Sequence, residues 1–150
     1  MFLLGRFCLG LFVLVVLSVS SACRERSREI VYLDPPRNQV ADPTEWDRFA
    51  QICEAEALRA GARRISDMDS YPLPGCRYWW LTERSGAIRF NVDACPQEDG
   101  KPPHGGPNAE VGTWPHIWNP LSIAEAEGRR AALYDALRAE FGDRIRVEPL

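Results

Sequence analysis

Lysine is almost missing from this chain: Lys101 stands alone among 18 basic residues, and histidine occurs only at His104 and His116. The formal net charge is −3, so the sequence lacks the basic excess that nucleic-acid phosphates demand, and nucleic acid is excluded as a partner. The arginines that replace lysine are scattered among acids. That pattern fits the codon bias of a GC-rich genome better than a device for bidentate anion recognition. No glycine-rich phosphate loop follows a strand pattern, and no serine stands in a nucleophile-elbow setting. No histidine pair has helical metal-ligand spacing, and no internal repeat is found.

What the sequence does hold begins at its start. Arg6 supplies a short positive region, Phe7 to Leu17 form an uncharged apolar core, and Ser18, Val19, Ser20, Ser21 and Ala22 are small. Residues 1–22 therefore have the build of an export signal. Ending on Ala22-Cys23, the leader resembles the lipobox of bacterial lipoproteins, although Ser20 stands where that family usually has Leu. The resemblance implies that Cys23 takes a diacylglycerol on sulfur and becomes the first mature residue. Arg24 follows, where enterobacterial lipoproteins retained in the inner membrane carry Asp, so the implied address is the outer membrane, facing the periplasm. Two other readings stay open. One is a plain secretory signal cut after Ala22; the other is a retained helix, for which the run falls short of the ~20 residues a span needs.

Residues 23–43 suit a solvated tether, being charged or small from Arg24 to Glu29 and proline-rich at Pro35, Pro36 and Pro43. Within it Glu29-Ile-Val-Tyr-Leu33 is a short β-type run. The remaining residues, 44–150, are enough for a single α+β domain. Asp42, Pro43 and Glu45 form a capping-box start for a helix that ends near Gly61. Its apolar face holds Trp46, Phe49, Ala50, Cys53, Ala57 and Ala60. Ser122 and Glu125 form a second capping box, opening a helix with Ala126, Leu133, Leu137 and Phe141 on one face. Arg130 falls within that stripe, where a snorkelling stem explains it most simply. Ile145 and Val147 alternate with Arg144, Arg146 and Glu148 in a closing strand. The order β-α-β-β-α-β predicts a ferredoxin-like sandwich with both helices on one face of a small antiparallel sheet.

Cys76 to Glu83 and Ala87 to Cys95 form a hairpin around Ser85-Gly86. A two-residue loop pairs Arg84 with Ala87, so opposed positions sum to 171 and Cys76 faces Cys95. A type I turn with Gly86 in a bulge shifts the sum to 170 and aims Tyr78 and Trp80 inward. An oxidising compartment favours a Cys76–Cys95 bridge, leaving Cys53 as a buried thiol. Without lipidation, a second bridge from Cys23 to Cys53 is open.

From residue 96 to residue 120 runs a segment rich in proline, glycine and aromatics, too long for an ordinary connection. Trp114-Pro-His-Ile-Trp118 lies in it, and Tyr78-Trp79-Trp80 puts aromatic bulk on both faces of the sheet. The segment is expected to fold over the helix-free face, with Trp118 as a lid. Trp114, Trp118 and Trp80 are the candidates for partner contact. His104 and His116, with Cys95, Asp93, Glu98 and Asp99, match no zinc pattern, so no metal and no cofactor are expected. Catalytic residues are not evident either. The sequence favours a structural or binding role, with an envelope protein as the partner, over a metal-dependent or hydrolytic enzyme.

Overall fold

The computed structural model describes residues 27–36, 43–66, 75–96, 106–116 and 119–150. Cys23, Asp42, His104 and Trp118 lie outside these residues, as do Glu98 and Asp99. In chain order the elements are β1 (Ser27–Leu33), α1 (Pro43–Arg59), β2 (Arg63–Arg64), β3 (Arg77–Thr82), β4 (Ile88–Cys95), β5 (Asn108–Thr113), α2 (Pro120–Phe141) and β6 (Ile145–Pro149). A single 3-10 turn, Gly142–Arg144, joins α2 to β6.

The six strands make one sheet in the order β2-β3-β4-β5-β1-β6, with every neighbouring pair antiparallel. The class is α+β, but the ferredoxin-like arrangement is not the one adopted. Its four strands would set the hairpin directly beside β1. Here β5 stands between them, and with each pair antiparallel that insertion makes β4 run parallel to β1. The extra strand comes from the middle of the segment expected as a long loop. Its sequence, Asn-Ala-Glu-Val-Gly-Thr, alternates, but with residues so small that the apolar period is faint. Part of the supposed cover is therefore a central strand.

The remaining elements follow their local chemistry. Glu45 in the first turn and Arg59 in the last complement the dipole of α1, and Gly61 follows at φ +87°, a left-handed conformation that glycine adopts without strain. The expected capping role of Glu45 is not what its side chain does. It takes a two-pronged ion pair from Arg144 at 2.6 and 2.8 Å, and Arg144 also donates to the Asp34 carbonyl. That clamp ties the start of α1 to the turn before β6. α2 opens two residues earlier than Ser122: Asn119 is its cap, accepting from the Leu121 N–H, and Pro120 sits at the first turn.

Both helices cover one sheet face. Val31, Leu33, Trp79, Phe90, Val92, Ala94, Ala109, Val111 and Ile145 from the strands meet Phe49, Cys53, Ala57, Leu133, Tyr134 and Leu137 from the helices. Cys53 is fully buried there, and burial pushes its thiol pKa well up, so it packs as a small apolar residue. Arg130 is not merely a snorkelling stem. It bonds the Ser27 hydroxyl and pairs with Glu29, whose carboxylate also accepts from Tyr134 Oη at 2.5 Å. Burial and the adjacent carboxylate together raise the Tyr134 pKa. Among the described residues no helix is long and apolar enough to cross a membrane.

Candidate functional site

The hairpin β3–β4 carries both registers that its sequence allows. From Arg77 to Leu81 opposed residues sum to 171, as in Trp79 opposite Val92; at the tip Thr82 faces Ile88 and the sum falls to 170. The two-residue loop pairing Arg84 with Ala87 does not form. Instead the Glu83 N–H donates to the Ala87 carbonyl, and Gly86 turns the chain at φ +83°. Returning to the inner register leaves Arg89 as an extra residue on β4. A bulge of this kind re-aims the side chain it carries.

Arg89 is aimed into a network at the end of the sheet. Its Nε donates to Glu83 Oε1 at 2.6 Å, Nη1 to the Trp114 carbonyl at 3.0 Å, and Nη2 lies 3.0 Å from His116 Nδ1. A guanidinium only donates, so Nδ1 is the accepting nitrogen and the ring proton sits on Nε2. That Nε2 reaches Glu83 Oε1 at 2.6 Å. Hydrogen bonding from Arg89 first, then its charge and the contact with His116, hold the Glu83 carboxyl below its ordinary value. Ser122 Oγ accepts from the His116 backbone N–H at 2.9 Å, which joins the network to the first turn of α2. The expected capping hydroxyl therefore pins the preceding loop instead.

Between hairpin tip and helix lies a cleft of about 270 Å³. Leu81 and Ala126 give it an apolar floor, and Arg89, His116, Ser122 and Arg129 supply polar groups. Arg129 pairs with Glu125 at 3.5 Å, as Arg89 does with Glu83, so the charges around the cleft are largely balanced. Both ring nitrogens of His116 are engaged, and Ser122 meets its backbone rather than its ring. This arrangement offers hydrogen bonds and shape, not a base poised on a nucleophile. At about 270 Å³ the cleft lies just under the ~300–1,000 Å³ typical of sites for drug-sized ligands.

The other sheet face holds the remaining candidates. Cys76, just before β3, and Cys95, the last residue of β4, have their sulfurs at disulfide distance, 2.06 Å, and their Cα atoms 4.2 Å apart. Trp80 donates its indole N–H to Asp93 Oδ1 at 3.0 Å. Trp114 is half-buried, with its ring over Gly112 on the same face. Asp93 sits opposite Glu110, and Glu110 is held by Arg28. Burial raises the Asp93 pKa, an effect that hydrogen bonds from Asn91 and Trp80 oppose. Trp80 and Trp114 are thus both engaged with this face of the sheet. Among the described residues, no three His, Cys, Asp or Glu side chains gather in a metal-binding group.

The sequence singles out the Cys76–Cys95 pair, Trp114 as a candidate contact and His116 as a loop histidine, but nothing local in it joins Glu83, Arg89 and Ser122 into a network. The one available signal was the ambiguity of the hairpin register. Either register alone gives Arg89 a partner, Thr82 or Leu81; only the switch from one to the other leaves it unmatched. No family model, no curated protein and no solved structure matches the chain.

Proposed function

We propose that the chain is an exported cell-envelope lipoprotein, anchored through Cys23 to the outer membrane and facing the periplasm, and that its domain binds an envelope protein. The observation that carries this reading is the Cys76–Cys95 pair at disulfide distance between adjacent strands. Such bridges persist in oxidising compartments, and the leader ending at Cys23 is of the kind that delivers a chain to one. A thioether-linked diacylglycerol plus an N-acyl chain would provide the multiple acyl groups that stable anchoring requires. The charge-balanced cleft under the hairpin tip supports a binding role, since its apolar floor and hydrogen-bonding rim could receive a side chain of a partner.

The test is fractionation. Replacement C23S should move the protein from membrane to soluble fractions or block processing, and mass spectrometry of the wild type should find acyl chains on the N-terminal cysteine. Identical fractionation of both forms without any acyl mass would leave a soluble periplasmic or secreted binding module in its place.

A further inference from the structure

We infer that the outer edge of β6 pairs with β6 of a second copy of this chain, in an antiparallel register centred on Val147. The hydrogen-bond pattern establishes which groups face outward. The Asp34 N–H donates to the Arg144 carbonyl, and the Leu150 N–H donates to the Arg28 carbonyl. In the same register Ile30 faces Glu148 and Tyr32 faces Arg146. Antiparallel ladders bond alternate pairs, so residues 144, 146, 148 and 150 turn their backbone groups toward β1. Val147 turns both of its backbone groups outward and Pro149 its carbonyl, while the Ile145 N–H is held by the Gly142 carbonyl; among the described residues β6 is the last strand of the sheet on that side. Pro149 fits this alternation, because the amide hydrogen it lacks would point away from β1.

Charge complementarity selects the occupant. Centred on Val147, the pairing sets Arg146 opposite Glu148 of the second copy, and Glu148 opposite Arg146 of the second copy. Opposite charges directly across a ladder stabilise it, and like charges oppose it. Arg146 and Glu148 already contact each other within one chain, so the junction would hold an alternating group of charges. The two Val147 residues would exchange both backbone hydrogen bonds across the twofold axis; the Ile145 N–H takes no part, because it donates to the Gly142 carbonyl of its own chain. Val147, only partly buried against the core, would meet its counterpart across the twofold axis. The opposite edge of the sheet makes a poor junction: β2 is two residues long, and self-pairing would set Arg63 against Arg64. Charged residues and a terminal proline can also defend an edge from pairing. A defended edge gains nothing from signs that alternate to match themselves.

An interface of one short strand per copy is small, so association should be concentration-dependent rather than tight. Sedimentation of the purified chain should show a monomer–dimer equilibrium. Amide hydrogen exchange of Val147 should slow in step with dimer formation, while the Arg146 and Glu148 amides, bonded to β1, and the Ile145 amide, bonded to Gly142, stay protected in both states. Replacement E148R should weaken association by roughly ten-fold or more, since it sets like charges across the junction. The double variant R146E/E148R should restore it. A chain that stays monomeric up to millimolar concentration would overturn the inference. So would a dimer that leaves Val147 exchange unchanged, or a folded double variant that fails to recover association. Because the exchange measurement uses the wild-type chain, misfolding of a variant leaves the question decidable.

Discussion

The indole of Trp114 occupies the space that a side chain at Gly112 would need. A Cβ built on Gly112 would stand 2.3 Å from Cη2 of Trp114 and 2.2 Å from Asn91 Oδ1. A glycine in the interior of a central strand ordinarily weakens it, and close approach of another group is a recognised reason for its presence. Trp114 belongs to the same few residues whose backbone accepts from Arg89, so its seat on the sheet and the geometry of the cleft are coupled.

Replacement G112A should therefore expel the indole or displace Asn91, at a cost of about 1–3 kcal/mol, the usual range for overpacking. Urea denaturation followed by tryptophan fluorescence would measure both the loss and a shift in native emission. An unchanged midpoint and spectrum would show that the ring does not rest there.

The Glu83 carboxylate, held by Arg89 and His116, gives a pH signature of known sign. Its folded pKa lies below its ordinary value of 4.5. Stability from this group is present above that ordinary value and is lost as pH falls through the lower folded value. E83Q should destabilise the protein at neutral pH, with the difference from wild type closing at strongly acid pH. Thermal melts of both proteins across that range are the check, and a difference that grows on acidification would contradict the network.

Asp93 has the opposite sign. Burial raises its folded pKa above its ordinary value of 3.8, so the folded state holds the proton more readily than the unfolded chain. Ionisation of Asp93 then costs stability as pH rises through that window. D93N keeps an oxygen to accept from the Trp80 indole and removes the buried charge beside Glu110. It should raise the melting temperature at neutral pH, and the gain should disappear in acid. A lower melting temperature at neutral pH would mean that the charge itself is stabilising.

The Cys76–Cys95 pair spans a sequence separation of 19, and loops of this size give bridges worth roughly 2–4 kcal/mol. C76S should lower stability by that order. Non-reducing peptide mapping should link Cys76 to Cys95 and leave Cys53 as a free thiol that reacts only after unfolding. A link from Cys53 to either partner would overturn the assignment.

Much of the framework follows from local pattern. The apolar face of α1, Trp46 through Ala60, is set by helical spacing, and Gly61 after it by the need for a left-handed residue. Trp79 facing Val92, and with them Cys76 near Cys95, follow from the register that sums to 171; the alternative would set Trp79 opposite Asn91. The turn chemistry allowed two registers and did not choose between them. The folded hairpin uses one along its length and the other at its tip, because the bulge at Arg89 reconciles a left-handed Gly86 with a buried Trp79.

Tertiary structure alone decided the place of β5, the partners of Arg130 and Arg144, and the cleft. A strand of small residues such as Ala109 and Gly112 carries little apolar period, and only two long neighbours to pair with make it a strand. Ion pairs such as Arg144 with Glu45 join residues nearly a hundred positions apart. No local propensity encodes contacts of that range. They exist because the sheet order brings the start of α1 beside the turn into β6, where packing decides which charges meet.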